Sequence, residues 1–214
     1  MATDNRHRYG FRWVGSFSGK SQPEVVRVPI ASAYAPTAGG TAIGLHVGDP
    51  IQILGTGYGA ICVGSEGTQS QIYGIIESFG PIWDGSAMSR SDHFTSGGGV
   101  YGTNFARQTF MNVIPVVDQK FAIDVDDKVT ATTYAGYLAM YGGNTDMVLV
   151  ADTTNAADPK ADPKLDISLI NTTALQWRII ELEQNVYQDY GGSNVSLVVT
   201  CNKVQQAPYQ TTGV

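Results

Sequence analysis

The stretch "NVSLVVTCNKV" alternates with a period of two, placing Val195, Leu197, Val199 and Cys201 on one face of an extended chain. That alternation builds a half-buried β-strand and cannot line one side of a helix. Short runs of the same kind recur: "EVVRVPI", "TAIGLHV", "PIQIL", "GAICVG", "SQIYGIIESFG", "NVIPVV", "KFAIDVD", "KVTATTYAGYLAMY", "DMVLVA", "LDISLI" and "LQWRIIELEQ". Turn signals such as "GDP", "GTG", "GSEGTQ" and "QDYGGSN" separate them, at the spacing of a sandwich or barrel. No long amphipathic helical period appears. Charged residues make up only 15% of the chain, and 25 of its 214 residues are glycine. Both values suit a turn-rich all-β body, a β-barrel or sandwich of short antiparallel strands.

The organisation reads in four parts. Residues 1–30 look like an extended N-terminal arm. Residues 31–206 form the β body, with a first β unit over 31–80 and a second over 112–206. Between these units, residues 81–111 are Gly/Ser-rich and aperiodic, and read as a long loop excursion. Residues 207–214 read as a tail. Within the second unit, "ADTTNAADPKADPK" reads as a solvated connector, because each proline blocks ladder pairing.

Charge is divided unevenly. Residues 1–30 carry five basic and two acidic side chains, a net +3; the remainder carries 8 basic and 17 acidic, a net -9. An acidic body repels nucleic acid, so direct nucleic-acid binding is not expected. No apolar run approaches the length of a membrane-spanning helix. The polar N-terminus lacks the apolar region of a secretory signal, which predicts synthesis in the cytoplasm. Cys62 and Cys201 sit in apolar strand-like runs and read as buried free thiols, with a long-range disulfide as the alternative.

Motifs that carry chemistry fail their context tests. "IQILGTGYGAICVG" offers Gly55, Gly57 and Gly59 after a strand, as a dinucleotide-binding turn would. Such a turn needs a helix starting at the glycines, and a β-branched, Gly-broken run follows instead. The reading is a strand–turn–strand corner with Tyr58 at its tip, and no cofactor. His7, His46 and His93 fall in arm, strand and loop, without a local acid or nucleophile partner. Asp124, Asp126 and Asp127 resemble the start of a calcium loop but lack its glycine and closing glutamate. Asp152, Asp158, Asp162 and Asp166 read as solvated charge. No catalytic or metal site is expected, and no enzymatic activity.

Attachment remains. In "YGFRWVGSF", Tyr9, Phe11, Trp13 and Phe17 share one side of an extended chain, with Arg12 among them and Arg6 and Arg8 just before. Aromatics and Arg are the side chains that anchor interfaces. They either dock on a partner, with Arg6, Arg8, Tyr9, Phe11, Arg12, Trp13 and Phe17 as candidate contacts, or fold back on the body as an edge strand. On the docking alternative, a chain lacking residues 1–30 stays folded but loses its partner. Tyr134, Tyr137 and Tyr141 could alternatively stack on sugars in a glycan-binding module.

The segments "VIPVVDQKFAIDVDDKVTATTYAGYLAMYGG", "KLDISLINTT" and "LQWRIIELEQNVYQDYGGSNVSLVVTCNKV" resemble the capsid decoration, or cement, proteins of tailed bacteriophages. The resemblance lies in the order of strands and in the "DYGGSN" turn before "VVTCNK", and it covers under half of the chain. It implies a small β-barrel on the outer capsid surface. There it would clamp major capsid protein subunits of the expanded head, bound as a homo-oligomer, a trimer in preference to a dimer. A tail or head-fibre base protein is the other virion role that fits.

Overall fold

The computed structural model describes residues 10–30, 37–38, 41–42, 44–62, 70–80, 82–83, 88–89, 93–94, 110–126, 133–152, 160–170, 175–183 and 195–205. Two five-stranded antiparallel sheets dominate. In the first, β1 (Arg12–Ser16) pairs with β13 (Gln119–Asp124). The order continues through β18 (Ser196–Cys201) and β17 (Trp177–Leu182) to β14 (Asn144–Thr145). The second runs β2 (Val26–Pro29), β12 (Phe110–Pro115), β8 (Gly74–Phe79), β6 (Pro50–Ile53) and β7 (Gly59–Ile61). Four two-stranded ribbons complete the set: β3 (Thr37–Ala38) with β4 (Thr41–Ala42), β5 (Leu45–His46) with β11 (His93–Phe94), β9 (Ile82–Trp83) with β10 (Met88–Ser89), and β15 (Met147–Asp152) with β16 (Lys160–Leu165).

The all-β expectation holds, in its sandwich form. The sheets do not close into the barrel that the resemblance implied. One buried cluster lies between them. Phe121, Ile123, Trp177, Ile179, Leu197, Val199 and Cys201 come from the first sheet; Ile75 and Ile114 come from the second. The alternation that marked the last strand is borne out: Val195, Leu197, Val199 and Cys201 all join this cluster, whereas Val198, although buried, does not. A second cluster covers the other face of the second sheet, with Ile51, Ile53, Ile61, Ile76, Met111 and Val113. β8 therefore presents Ile75 to one cluster and Ile76 to the other, as a strand buried on both faces must.

Residues 12–16 take the folded-back alternative: they are the edge strand of the first sheet, with Trp13 opposite Phe121. Four local expectations are corrected. Within "KVTATTYAGYLAMY", Tyr134–Leu138 form one helical turn, α1, rather than a strand. Thr133 caps it by accepting from Gly136 N–H at 3.2 Å, and helical spacing buries Tyr137 and Met140 together. The second Asp-Pro-Lys of the expected connector lies in β16, where Pro163 stands opposite Leu149. A strand laddered along one side tolerates a missing donor. In "LDISLI", Ile167–Leu169 form a 3-10 turn capped by Asp166, whose carboxylate accepts from Ser168 N–H at 3.0 Å. Finally, the 81–111 excursion contributes β9, β10, β11 and the first two residues of β12, although 81, 84–87, 90–92 and 95–109 lie outside the described residues. The "GSEGTQ" and "QDYGGSN" turns and the tail also lie outside them.

The turn His46–Asp49 links the layers. Asp49 N–H donates to His46 O at 3.1 Å, and Gly48 takes φ 96°, which a residue other than glycine adopts only under strain. Phe11 N–H donates to Gly48 O at 2.9 Å, and Gly48 N–H donates to Ile76 O at 2.8 Å. The turn thus joins the N-terminal strand to the second sheet. Its Asp49 carboxylate is buried and accepts from His46 N–H at 2.8 Å. Burial pushes the Asp49 pKa well above its ordinary value of 3.8; the His46 hydrogen bond opposes this and the Asp162 charge adds to it.

The folded state therefore holds the Asp49 proton more tightly than the unfolded chain does. Its stabilising contribution is full below about pH 4 and is lost as pH rises towards the raised folded value. Asp49→Asn keeps an oxygen acceptor for His46 N–H and removes the charge. In urea titrations at pH 4 and pH 7, the variant is expected to gain stability relative to the parent chain at the higher pH. An unchanged difference between the two pH values would contradict this account.

Candidate partner-binding surface

Of the candidate contacts, Arg6, Arg8 and Tyr9 lie outside the described residues. The other four separate into three that fasten the segment to its own body and one that faces outward. Phe11 is 3% exposed, stacked on Trp177 with ring centroids 4.3 Å apart and edge-on to Phe121 at 6.3 Å. Trp13 packs partly buried against the same cluster, and its Nε1–H donates to Gln119 Oε1 at 2.6 Å. Phe11 is a core residue, and Trp13 packs on the edge of that core.

Arg12 points to the other face of the sheet. Its Nη2 donates to Glu183 Oε2 at 2.7 Å and to Ser196 Oγ at 3.1 Å, and its Nη1 lies 3.5 Å from Asp124 Oδ1. Ser196 Oγ also donates to Asp124 Oδ1. One guanidinium thus laces β1 across β13 and β18 to the end of β17. Ala122 and Val198, opposite each other on that face, are buried. Asp124 is held in this cluster, while Asp162 pairs with Lys164 at 3.4 Å and Asp166 caps its turn. Among the described residues, no group of three or more His, Cys, Asp or Glu is placed to hold a metal ion.

Phe17 is 54% exposed. By strict alternation it shares a side with Phe11 and Trp13, but a bulge at Val14 shifts the register. Trp13 lies opposite Phe121, and Gly15 opposite Lys120. One extra residue reverses which face each later side chain takes. Phe17 emerges past the strand end, its N–H bonded to Asp118 O at 3.1 Å and its ring 4.8 Å from Lys120 Nζ. Beside it, the β12–β13 connection exposes Val117, and β1 exposes Val14. Val117 escaped the sequence reading because "NVIPVV" looks like uninterrupted strand.

The three tyrosines do not form one platform. Tyr137 is fully buried, whereas Tyr134 and Tyr141 remain exposed, with Leu138 between them. Tyr141 OH accepts from Leu182 N–H at 2.7 Å, where β14 no longer reaches β17. The glycine motif resolves as architecture. β6 turns through Leu54–Tyr58, with Gly57 N–H bonded to Leu54 O at 2.8 Å, and re-enters the sheet as β7 at Gly59. A Cβ on Gly59 would lie 1.9 Å from Met111 Cε. A strand, not a helix, follows, so these glycines offer no helix N-terminus to a pyrophosphate.

The separation of anchors from surface makes a direct prediction. Phe11→Ala removes a buried ring between two aromatics and is expected to cost about 3–5 kcal/mol in denaturant unfolding. Phe17→Ser is expected to change stability by less than about 0.5 kcal/mol. Equal effects would mean that Phe17 is also packed.

Compared with known proteins, the chain matches no family model, no curated protein and no solved structure.

Proposed function

We propose that this chain is a structural virion protein that binds the outer surface of a tailed-phage capsid. In this role it stabilises the expanded head by bridging major capsid protein subunits. The reading rests on the resemblance of residues 113–206 to capsid decoration proteins, and one observation of the fold supports it. Residues Phe11–Trp13 are fixed to the body by a buried aromatic stack, an ion-pair cluster and an indole hydrogen bond. Arg6, Arg8 and Tyr9 directly precede that anchor in the sequence. A clamp needs such an attachment, because a contact made by the arm resists separation only if the arm cannot pull away from its own domain.

Phe17 and Val117 add an apolar contact beside the anchor, and the acidic body suits an outer surface that meets no nucleic acid. Each bridge adds binding free energy that local separation of subunits would forfeit. A homo-oligomer, a trimer in preference to a dimer, multiplies this by presenting several arms from one particle.

The anchor also changes the informative truncation. Removing residues 1–30 would remove Phe11, Arg12 and two strands, so it tests folding rather than binding. Removing residues 1–9 keeps them. The shortened chain is expected to melt as the full chain does, and to bind expanded heads of the encoding phage at least about 30-fold more weakly. Cryo-electron microscopy of the virion is expected to show hundreds of copies over the head. Unchanged affinity of the shortened chain would refute the arm as the clamp. A handful of copies at one vertex or on the tail would refute the cement role itself.

A further inference from the structure

Cys62 directly follows β7 of the second sheet, Cys201 ends β18 of the first, and both side chains enter the buried cluster between the sheets. Ile61 points into the second cluster, so Cys62, the next residue, points the other way. Cys201 ends β18 on the face of Leu197 and Val199. One backbone crossing holds these two chain ends together. Cys62 Sγ lies 3.9 and 3.8 Å from the carbonyl oxygens of Ser70 and Gln71. The next residue, Ile72, donates its N–H to Lys203 O at 2.8 Å and pairs in parallel with Val204. Gln205 N–H returns to Ile72 O at 2.8 Å. Gln176 Nε2 donates to Ser70 O at 3.1 Å, and its neighbour Trp177 stands directly opposite Cys201. The thiols thus flank this crossing, Cys62 against the carbonyls of residues 70 and 71 and Cys201 three residues before Val204.

From this placement we propose that Cys62 and Cys201 are a latent disulfide pair, which under oxidising conditions forms one bond joining the two sheets at the C-terminal crossing. The oxidant is a small disulfide such as oxidised glutathione. The thiolate of one cysteine attacks it, forming a mixed disulfide and releasing one reduced thiol. The second cysteine then displaces the other thiol as the protein S–S bond forms. Two electrons and two protons leave the protein, and two molecules of reduced glutathione carry them.

Burial holds both thiols in check. It pushes each pKa up to about 12, so the reactive thiolate is scarce at neutral pH while the crossing is closed. Oxidation then requires residues 202–205 to lift from Ile72, or takes place during folding. The bridge would form whatever partner the outer surface holds.

The test is to refold the full chain from denaturant in oxidised and reduced glutathione and to map peptides without reduction. Expected are a monomer about 2 Da lighter, a peptide linking Cys62 to Cys201, and no titratable thiol. The bridge closes a loop of well over a hundred residues, so the thermal midpoint is expected to rise by roughly 5–10 °C and to fall back with dithiothreitol. Cys62→Ala is expected to show neither the link nor the dithiothreitol-dependent shift. Thiols that still titrate after refolding, bonds formed only between chains, or a bridged monomer that melts lower would each overturn the proposal. The peptide map uses the parent chain, so it decides the matter even if the variant folds poorly.

Discussion

The stack of Phe11 on Trp177, with Phe121 edge-on to both, is the contact on which the arrangement of the sandwich turns. It brings together three segments more than fifty residues apart in sequence: the residue before β1, the middle of β13 and the start of β17. A long loop must close before any of these rings can meet, and only the burial of large aromatic surfaces in one place offsets that entropy. Once the stack is made, the N-terminal strand can ladder to β13, and Arg12 reaches its acidic partners on the outer face. The Gly48 carbonyl accepts the Phe11 N–H, so the same residue also ties the first sheet to the turn beside the second. Gly10 permits this approach, since a Cβ there would lie 2.6 Å from Gly48 O.

The opposite end of the chain is fastened by a different device. The Gln205 side chain accepts from Ile53 N–H at 2.7 Å through Oε1 and donates to Ile53 O at 2.7 Å through Nε2. A side-chain amide thus occupies a peptide's place where β6 extends beyond its pairing with β8. With Ile72 bonded to Lys203 and Gln205, the C-terminal segment crosses from the first sheet to the second. Both ends of the described chain therefore contribute to joining the layers. The proposed clamp would act through the first of these fastenings, and the proposed disulfide would reinforce the second.

Much of the strand content was legible. "PIQIL", "NVIPVV", "KFAIDVD", "DMVLVA", "LQWRIIELEQ" and "NVSLVVTCNKV" each contain a strand, because their alternation or apolar density is a local property. The glycine corner before Gly59 was legible for the same reason: its flanks favour strands, and no helix-forming run follows. The misreadings share a cause. Tyr134–Leu138 contains aromatic residues that suit a strand, yet Thr133 can cap a turn and Tyr137 finds a buried site at helical spacing. Pro163 argued against a strand, but the argument applies to a residue paired on both sides, and among the described residues Pro163 is paired with Leu149 alone.

The candidate surface was legible only in part. "YGFRWVGSF" announced an aromatic stripe with an arginine in it, but not which of its residues would be used internally. The bulge at Val14 depends on how β1 registers against β13, and it sends Phe17 outward while Phe11 and Trp13 go in. The sequence by itself determined that the chain would be an all-β body of short, glycine-punctuated strands, since period-two alternation and turn chemistry act between near neighbours. Only the tertiary structure decided that the sheets stack without closing, that the first strand belongs to the sheet of the last, and that two distant cysteines face one interior. Those outcomes depend on contacts between segments far apart in the chain, and local periodicity carries no information about which segments will meet.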